Sequence, residues 1–184
     1  MSHTPLTSSP HPLPPTPAGE RALWLRLLRS RRVGIATFYR LLQEHGSAEA
    51  ALAALPGIAA AAGVDSYEIC PESIVRAELN ASRKIGAKML CIGDPAYPRQ
   101  LKDLPDAPPI LWAVGELSLL TRPMVSLVGA RNASSLGLRM ARKLAQELAA
   151  AGHVVVSGLA RGIDTAAHEG ALDQGTIAVI GGGL

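Results

Sequence analysis

The spacing of apolar side chains divides this 184-residue chain into a helical first part and an alternating strand–helix second part. In residues 20–87 apolar positions recur three and four residues apart, as at Phe38, Leu41 and Leu42, and this is the period of an amphipathic helix. The predicted helices cover residues 21–29, 37–44, 48–55 and 65–87. The third helix is predicted to end at Pro56, because a proline inside a helix removes a backbone hydrogen bond.

From residue 124 onward, short segments are continuously apolar instead of apolar at helical spacing. Such segments are typical of strands that are buried on both faces of a parallel sheet. The predicted order is strand 125–128, helix 136–151, strand 154–156, helix 165–172 and strand 176–180. Two consecutive strand–helix–strand units predict the α/β class, with a parallel sheet that helices cover.

The long helix of this second part has a predicted core face at Met140, Leu144, Ala145 and Leu148, which follow helical spacing. After the third strand the chain ends in residues 181–184, three glycines and a leucine. Three strands make up only half of an ordinary doubly wound sheet. We therefore expect the sheet to be incomplete in this sequence.

Composition adds the segments outside these elements and the broad class of the chain. We predict a disordered Pro- and Ser-rich tail over 1–19, a helical domain over 20–87, a connector with short strands over 88–123 and an incomplete α/β domain over 124–184. Neither a signal peptide nor a membrane span is evident, and Cys70 and Cys91 lack disulfide or zinc-site spacing, so a cytoplasmic protein is expected. The net charge of +3 permits nucleic-acid binding without requiring it.

Small residues and arginines lie where the predicted strands end, in residues 129–134, 157–164 and 181–183. Because the carboxyl ends of parallel strands meet at one edge of a sheet, these three turns are expected to lie side by side. Glycines let backbone amides approach a ligand, and the first two turns lead into helix N-termini, which favour anions. Arg131 and Arg161 add guanidinium groups that suit phosphate. The sequence therefore predicts a phosphate-binding rim.

The fingerprints of nucleotide cofactors are missing from these turns. The first turn lacks the second and third glycines of the dinucleotide motif, and the second strand ends in Ser157 and Gly158 instead of an acidic residue. A Walker glycine–lysine motif is missing as well. We expect the phosphate to belong to a polymer backbone or a phosphosugar, and we predict neither a cofactor nor a metal.

Several polar residues of the rim have a structural interpretation beside a chemical one. Asp164 suits a helix N-cap better than a catalytic carboxylate, and His168 suits a bond to a neighbour better than a general base. Ser157 has no His–Asp relay near it and is expected to bond backbone or phosphate. Arg161 suits either an ion pair with Asp164 or a ligand contact, whereas Arg131 is the strongest ligand candidate because it follows the first strand directly.

A cationic run at the end of the first predicted helix comprises Arg26, Arg29, Arg31 and Arg32. Arginines at a helix C-terminus interact favourably with the helix dipole and with water, which explains the run without a ligand. A pair of short helices can also hold a nucleic-acid backbone through turn amides and cations. Under that second interpretation Arg31 and Arg32 form a secondary DNA contact.

The motifs of the second part resemble those of the DNA-processing protein A (DprA/Smf) family. Residues 127–131, LVGAR, resemble the family's phosphate motif, and residues 156–164, VSGLARGID, resemble its second signature. The similarity continues upstream through residues 97–115 and the helical region, so it covers about residues 20–184. It implies a Rossmann-like core that follows a small helical domain of the sterile-alpha-motif-like or helix-hairpin-helix type.

The resemblance also implies an activity and a set of partners. A member of this family binds and protects single-stranded DNA, loads RecA during natural transformation and recombination, forms homodimers at full length and has no established catalytic chemistry. The implied DNA-phosphate contacts are Gly129, Ala130, Arg131, Asn132, Ser157, Gly158 and Arg161.

An enzyme is the alternative prediction. Rossmann-like phosphoribohydrolases of the lysine-decarboxylase-like family cleave nucleoside monophosphates and carry a Pro-Gly-Gly-x-Gly-Thr turn after a core strand. In this chain Ile180 stands at the position of that proline and Leu184 at the third glycine. The turn therefore matches the enzyme motif only in part.

Overall fold

The computed structural model describes residues 17–182, which form two compact units that divide between Gly115 and Glu116. Most of the predicted tail, residues 1–16, lies outside the described residues, and the first helix begins at Ala18. Within the described part of the chain, no helix is both long enough and apolar enough to cross a membrane.

The first unit is helical, with a small antiparallel sheet. Its elements are α1 Ala18–Arg29, α2 Ile35–His45, α3 Ala48–Ala61, α4 Glu72–Lys84, β1 Lys88–Cys91, α5 Arg99–Lys102 and β2 Ile110–Ala113. In the two-stranded sheet Lys88 lies opposite Ala113 and Cys91 lies opposite Ile110. Large side chains fill the core between the helices, where the rings of Trp24 and Phe38 meet edge to face at 5.2 Å.

The predicted end of the third helix at Pro56 is wrong, because α3 continues through this residue to Ala61. A proline in a helix interior lacks the amide hydrogen that would bond to the carbonyl oxygen four residues earlier. Leu55 and Ala59, on either side of the proline, are both buried in the core of the unit. Their burial favours continuation of the helix and outweighs the lost hydrogen bond.

Charged side chains connect the elements of the first unit. The carboxylate of Glu78 on α4 accepts hydrogen bonds from Arg29 on α1, at 2.7 and 2.9 Å, and from the indole nitrogen of Trp112 on β2, at 2.9 Å. Burial alone would raise the pKa of Glu78, but the hydrogen bonds from Arg29 and Trp112 outweigh it and lower that pKa. A second pair joins Arg21 to Asp94 at 2.7 Å.

The second unit contains a parallel sheet with two helices, which confirms the predicted fold class. Its elements are a 3₁₀ helix Leu117–Thr121, β3 Met124–Ser126, α6 Ser135–Ala150, β4 Val154–Ser157, α7 Ile163–Ala171, a 3₁₀ turn Leu172–Gln174 and β5 Thr176–Ala178. The strand order is β3-β4-β5, with Ser126 opposite Val156 and Ser157 opposite Ala178. Helices α6 and α7 each connect two neighbouring parallel strands.

The predicted core face of the long helix is wrong at two of its four positions. The buried residues of α6 are Ala141, Ala145 and Ala149, while Met140 and Leu144 are 65% and 50% exposed. The reason is the close approach of α7: a Cβ placed on Gly170 would lie 2.9 Å from that of Ala145 and against the carbonyl oxygen of Arg142. Only small side chains fit where the two helices are this close.

Candidate nucleic-acid interface

The turns that follow β3 and β4 pack directly against each other. The backbone N–H of Ile163 donates to the carbonyl oxygen of Ala130 at 3.2 Å. A Cβ on Gly129 would lie within 2.7–2.9 Å of the Ile163 side chain, and one on Gly162 would lie 2.5 Å from the carbonyl oxygen of Arg131. Gly162 also has φ +88°, a backbone conformation that favours glycine. The two turns are therefore fixed relative to each other.

A groove of about 760 Å³ opens beside these turns, between the N-terminal ends of α6 and α7. The polar and charged residues that line it include Arg131, Asn132, Arg142, Arg161, Thr165 and Glu169. The N-cap residues of both helices, Ser134 and Gly162, line it as well. The N-termini of two helices, each with the positive end of a helix dipole, thus meet at one groove. In the first turns of these helices the N–H of Gly137 already donates to the Ser134 hydroxyl and the N–H of Ile163 to the carbonyl oxygen of Ala130.

The charges of the groove favour an anion. Arg131 and Arg161 are exposed, and neither has an ion-pair partner among residues 17–182. The pair between Arg161 and Asp164 that the sequence permitted is not formed in this part of the chain. The structure thus brings three of the predicted site residues, Arg131, Asn132 and Arg161, to one groove. Two guanidinium groups beside two helix N-termini can bind phosphate oxygens in several geometries.

Ser157 and Gly158 lie at the end of β4 and do not belong to the lining of this groove. Ser157 is buried, and its hydroxyl donates to the carbonyl oxygen of Leu127 at 2.6 Å. A Cβ on Gly158 would lie 2.8 Å from a carboxylate oxygen of Asp164. Both residues therefore shape the turn in this structure, and a DNA contact through either of them stays a prediction.

Asp164 is not the helix cap that the sequence predicts. The N-cap of α7 is Gly162, and Asp164 is the second residue of the helix and is buried. His168 bonds its neighbours, as expected: Nε2 lies 2.8 Å from the carbonyl oxygen of Gly158, and Nδ1 lies 2.9 Å from the hydroxyl of Thr176. His168 therefore ties the turn after β4 to strand β5.

Outside the predicted turns, sequence reasoning missed three polar or charged residues of the groove, Arg142, Thr165 and Glu169. Arg142 lies on α6 one turn after the lining residue Leu138, and the sequence does not show that this side of the helix faces a groove. The other two lie on α7, which the sequence places correctly after the second strand. The sequence does not show which side of α7 faces α6 and the groove.

In the first unit, Arg31 and Arg32 lie in the turn between α1 and α2, and both are exposed. Arg32 has φ 63°, and the carbonyl oxygen of Arg31 accepts a hydrogen bond from the hydroxyl of Tyr67 at 2.6 Å. Arg26 and Arg29 of the same cationic run pair with glutamates of α4, which supports the structural interpretation for these two.

Comparison with known proteins agrees with the motifs. The family model of DNA recombination-mediator protein A matches residues 88–184, and that of a DprA-like N-terminal HHH domain matches residues 18–81. The chain is 50% identical over 93 residues to the DNA processing protein DprA of Streptococcus pneumoniae, covering 50% of this chain and 33% of that protein. It is 36% identical over 180 residues to protein Smf of Synechocystis, covering 90% of this chain and 45% of that protein.

A solved structure is also similar. The X-ray structure of DprA from Streptococcus pneumoniae superposes with a TM-score of 0.53 at 31% identity, covering 82% of this chain and 59% of that chain. The chain thus spans about a third to a half of the length of these curated relatives. With a family model that matches more than half of its residues, the chain belongs to the DNA recombination-mediator protein A (DprA/Smf) family.

Proposed function

We propose that this chain binds single-stranded DNA, with the groove between α6 and α7 holding the phosphate backbone. The observation that carries the proposal is the convergence of Arg131 and Arg161, both without ion-pair partners among residues 17–182, with the N-termini of both helices. Such a site neutralises phosphate charge without reading a base sequence. Family membership supports the choice of DNA, since relatives are named DNA processing proteins.

A free dinucleotide fits the site less well. In dinucleotide sites an acidic residue near the end of the second strand binds the ribose. Here β4 ends in Ser157, which is buried and bonded to Leu127. A polymer needs no such residue, because its successive phosphates supply the binding energy.

Exposed aliphatic side chains support a single strand over a duplex. After the three strands Val128, Leu159 and Val179 are 76%, 69% and 62% exposed. Unstacked bases present flat apolar faces that can pack on such side chains, whereas a duplex keeps its bases stacked inside. The second unit contains no aromatic residue in its sequence, so aliphatic packing takes the place of aromatic stacking in this proposal.

For the whole protein we propose the wider role that the family implies. It protects incoming single-stranded DNA in the cytoplasm, loads RecA, acts as a homodimer and has no catalytic activity. Arg31 and Arg32 provide a secondary DNA contact in this proposal, because both are exposed in a turn between two helices and have no ion-pair partner among residues 17–115.

The proposal is tested by fluorescence anisotropy of a labelled oligo-dT titrated with the chain, first alone and then with unlabelled duplex as competitor. We expect salt-sensitive binding that the duplex barely displaces. A folded chain that leaves the oligonucleotide unbound contradicts the proposal. Release of ribose 5-phosphate from nucleoside monophosphates would then favour the phosphoribohydrolase alternative.

A further inference from the structure

One carboxylate lies inside the groove that the proposed function assigns to phosphate. Glu169 on α7 lines the groove and forms an ion pair with Arg142 on α6. The two side chains are 51% and 45% exposed, so the pair is open to solvent. A negative group in an anion site opposes the binding of the anion, and its presence there needs an explanation.

Arg142 shares its groove with the two arginines of the turns. At the crossing of the two helices the carbonyl oxygen of Arg142 lies against Gly170, where the helices are close together. The Arg142 side chain lines the same groove as Arg131 and Arg161. Its position is that of a third cation on one groove.

We propose that Arg142 is a third phosphate-binding residue and that Glu169 holds it until a DNA phosphate replaces the carboxylate. This inference rests on the proposed function. A carboxylate and a phosphate offer a guanidinium group the same pair of acceptor oxygens, so either one can occupy Arg142. Exposed ion pairs are weak, and a polyanion that contacts three arginines at once displaces such a pair easily.

The chain offers a matched control on the same helix layer. Glu147 on α6 also pairs with a cation, Lys143 at 3.8 Å, is 69% exposed, and is not part of the groove lining. Glu147→Gln and Glu169→Gln change the net charge equally. The difference between the two variants therefore reports the position of the carboxylate and not the overall charge.

The test measures oligo-dT binding by anisotropy as a function of salt for both variants. We expect Glu169→Gln to tighten binding about 3- to 10-fold at low salt, because no carboxylate competes with the phosphate for Arg142. The log–log slope of the salt dependence should stay close to that of the wild type, because the same phosphate contacts form in both complexes. Glu147→Gln should change affinity less than about 2-fold. The proposal is overturned if the two variants change the affinity equally. It is also overturned if Glu169→Gln binds oligo-dT with the same affinity as the wild type.

A double-mutant cycle with Arg142→Gln separates release of the arginine from simple relief of repulsion. If Arg142 contacts phosphate, most of the gain from Glu169→Gln disappears in the Arg142→Gln background. An undiminished gain shows repulsion alone and overturns the role of Arg142. A Glu169→Gln chain that melts at lower temperature and binds more weakly shows that the pair only braces α6 against α7. If the wild-type chain binds no oligonucleotide, the proposed function itself fails.

Discussion

The two units of this chain build their interiors from different residues. The helical unit fills its core with large side chains, including Trp24, Phe38 and Leu41. The parallel-sheet unit has a core cluster of Val155 with alanines of α6 and α7. Small residues let backbones approach closely, and close backbone contact is what shapes the turns at the sheet edge. The first unit is thus stabilised mainly by the packing of large side chains, and the second by close contact between backbone segments.

The units also use their arginines differently. In the helical unit Arg21, Arg26 and Arg29 each pair with an acidic residue distant in the sequence and so hold the fold together. In the sheet unit Arg131 and Arg161 have no such partner among residues 116–182. Cations without an ion-pair partner are available for a ligand, and Arg131 and Arg161 also lie together in one groove beside two helix N-termini.

The largest effect is expected from Gly162→Ala. The new Cβ would meet carbonyl oxygens of the neighbouring turn, and the residue has φ +88°. We expect a loss of about 3 kcal/mol in the free energy of unfolding of the sheet unit. Hydrogen exchange of the β3–β5 amides measures it, since both tryptophans, Trp24 and Trp112, lie in the other unit and tryptophan fluorescence should not change.

Gly152→Ala is the control for backbone strain alone. Gly152 has a nearly equal φ of +87°, and nothing lies within 4 Å of its added Cβ. We expect a cost of about 1 kcal/mol there. Equal costs for both glycines would show that contact between the turns does not stabilise the unit.

The thiols of the helical unit provide the next test. Cys91 is fully buried, and burial raises the pKa of its thiol to about 11, although the charge of Arg21 opposes that shift. At pH 8 we expect alkylation by iodoacetamide to be about 100-fold slower in the folded chain than in urea. Gly162→Ala should leave this protection intact. Rapid alkylation of that variant would mean that the two units unfold together.

A smaller effect is expected from Glu78→Gln. The folded state lowers the pKa of Glu78, so its stabilising contribution is present above the unfolded pKa and is lost as the pH falls through the folded value. At pH 7 we expect the variant to lose about 1–2 kcal/mol of unfolding free energy, measured by urea titration with tryptophan fluorescence. The difference should narrow as the pH falls through the lowered pKa of Glu78 and the wild-type carboxyl becomes protonated.

The exposed pair of Arg40 and Glu44 on α2 is the control for that measurement. Glu44→Gln should cost less than about 0.5 kcal/mol, because water already solvates both groups. A loss at Glu44 as large as that at Glu78 would show that the contacts of Glu78 with Arg29 and Trp112 contribute nothing beyond an ordinary surface pair.

Much of the fold could be predicted from the sequence, because continuous apolar strands alternate with helices at spacings that only a parallel sheet satisfies. The side of α6 that is buried could not be predicted in this way. Met140 and Leu144 are more hydrophobic than Ala141 and follow the same period, so pattern alone selects the larger residues. Which stripe faces inward depends on the distance to α7, a tertiary property that Gly170 sets.

The candidate site divides in the same way. Arg131 and Arg161 follow from their positions after the strands, because strand ends of a parallel sheet share an edge. Glu169 and Thr165 lie inside a helix, and a sequence does not show which helical face meets a neighbouring turn. The sequence predicts Asp164 as the N-cap of α7, whereas the structure has Gly162 there. Close contact with the turn after β3 requires a glycine at this position, and the sequence does not show that contact.

The salt dependence of oligo-dT binding by an Arg131→Gln/Arg161→Gln chain tests the central claim most directly. If these two arginines bind phosphate, the log–log slope should fall by about 1.4 relative to wild type, and affinity should fall about equally for oligonucleotides of different sequence. An unchanged slope, or a loss confined to one base sequence, would contradict a phosphate site in the groove between α6 and α7.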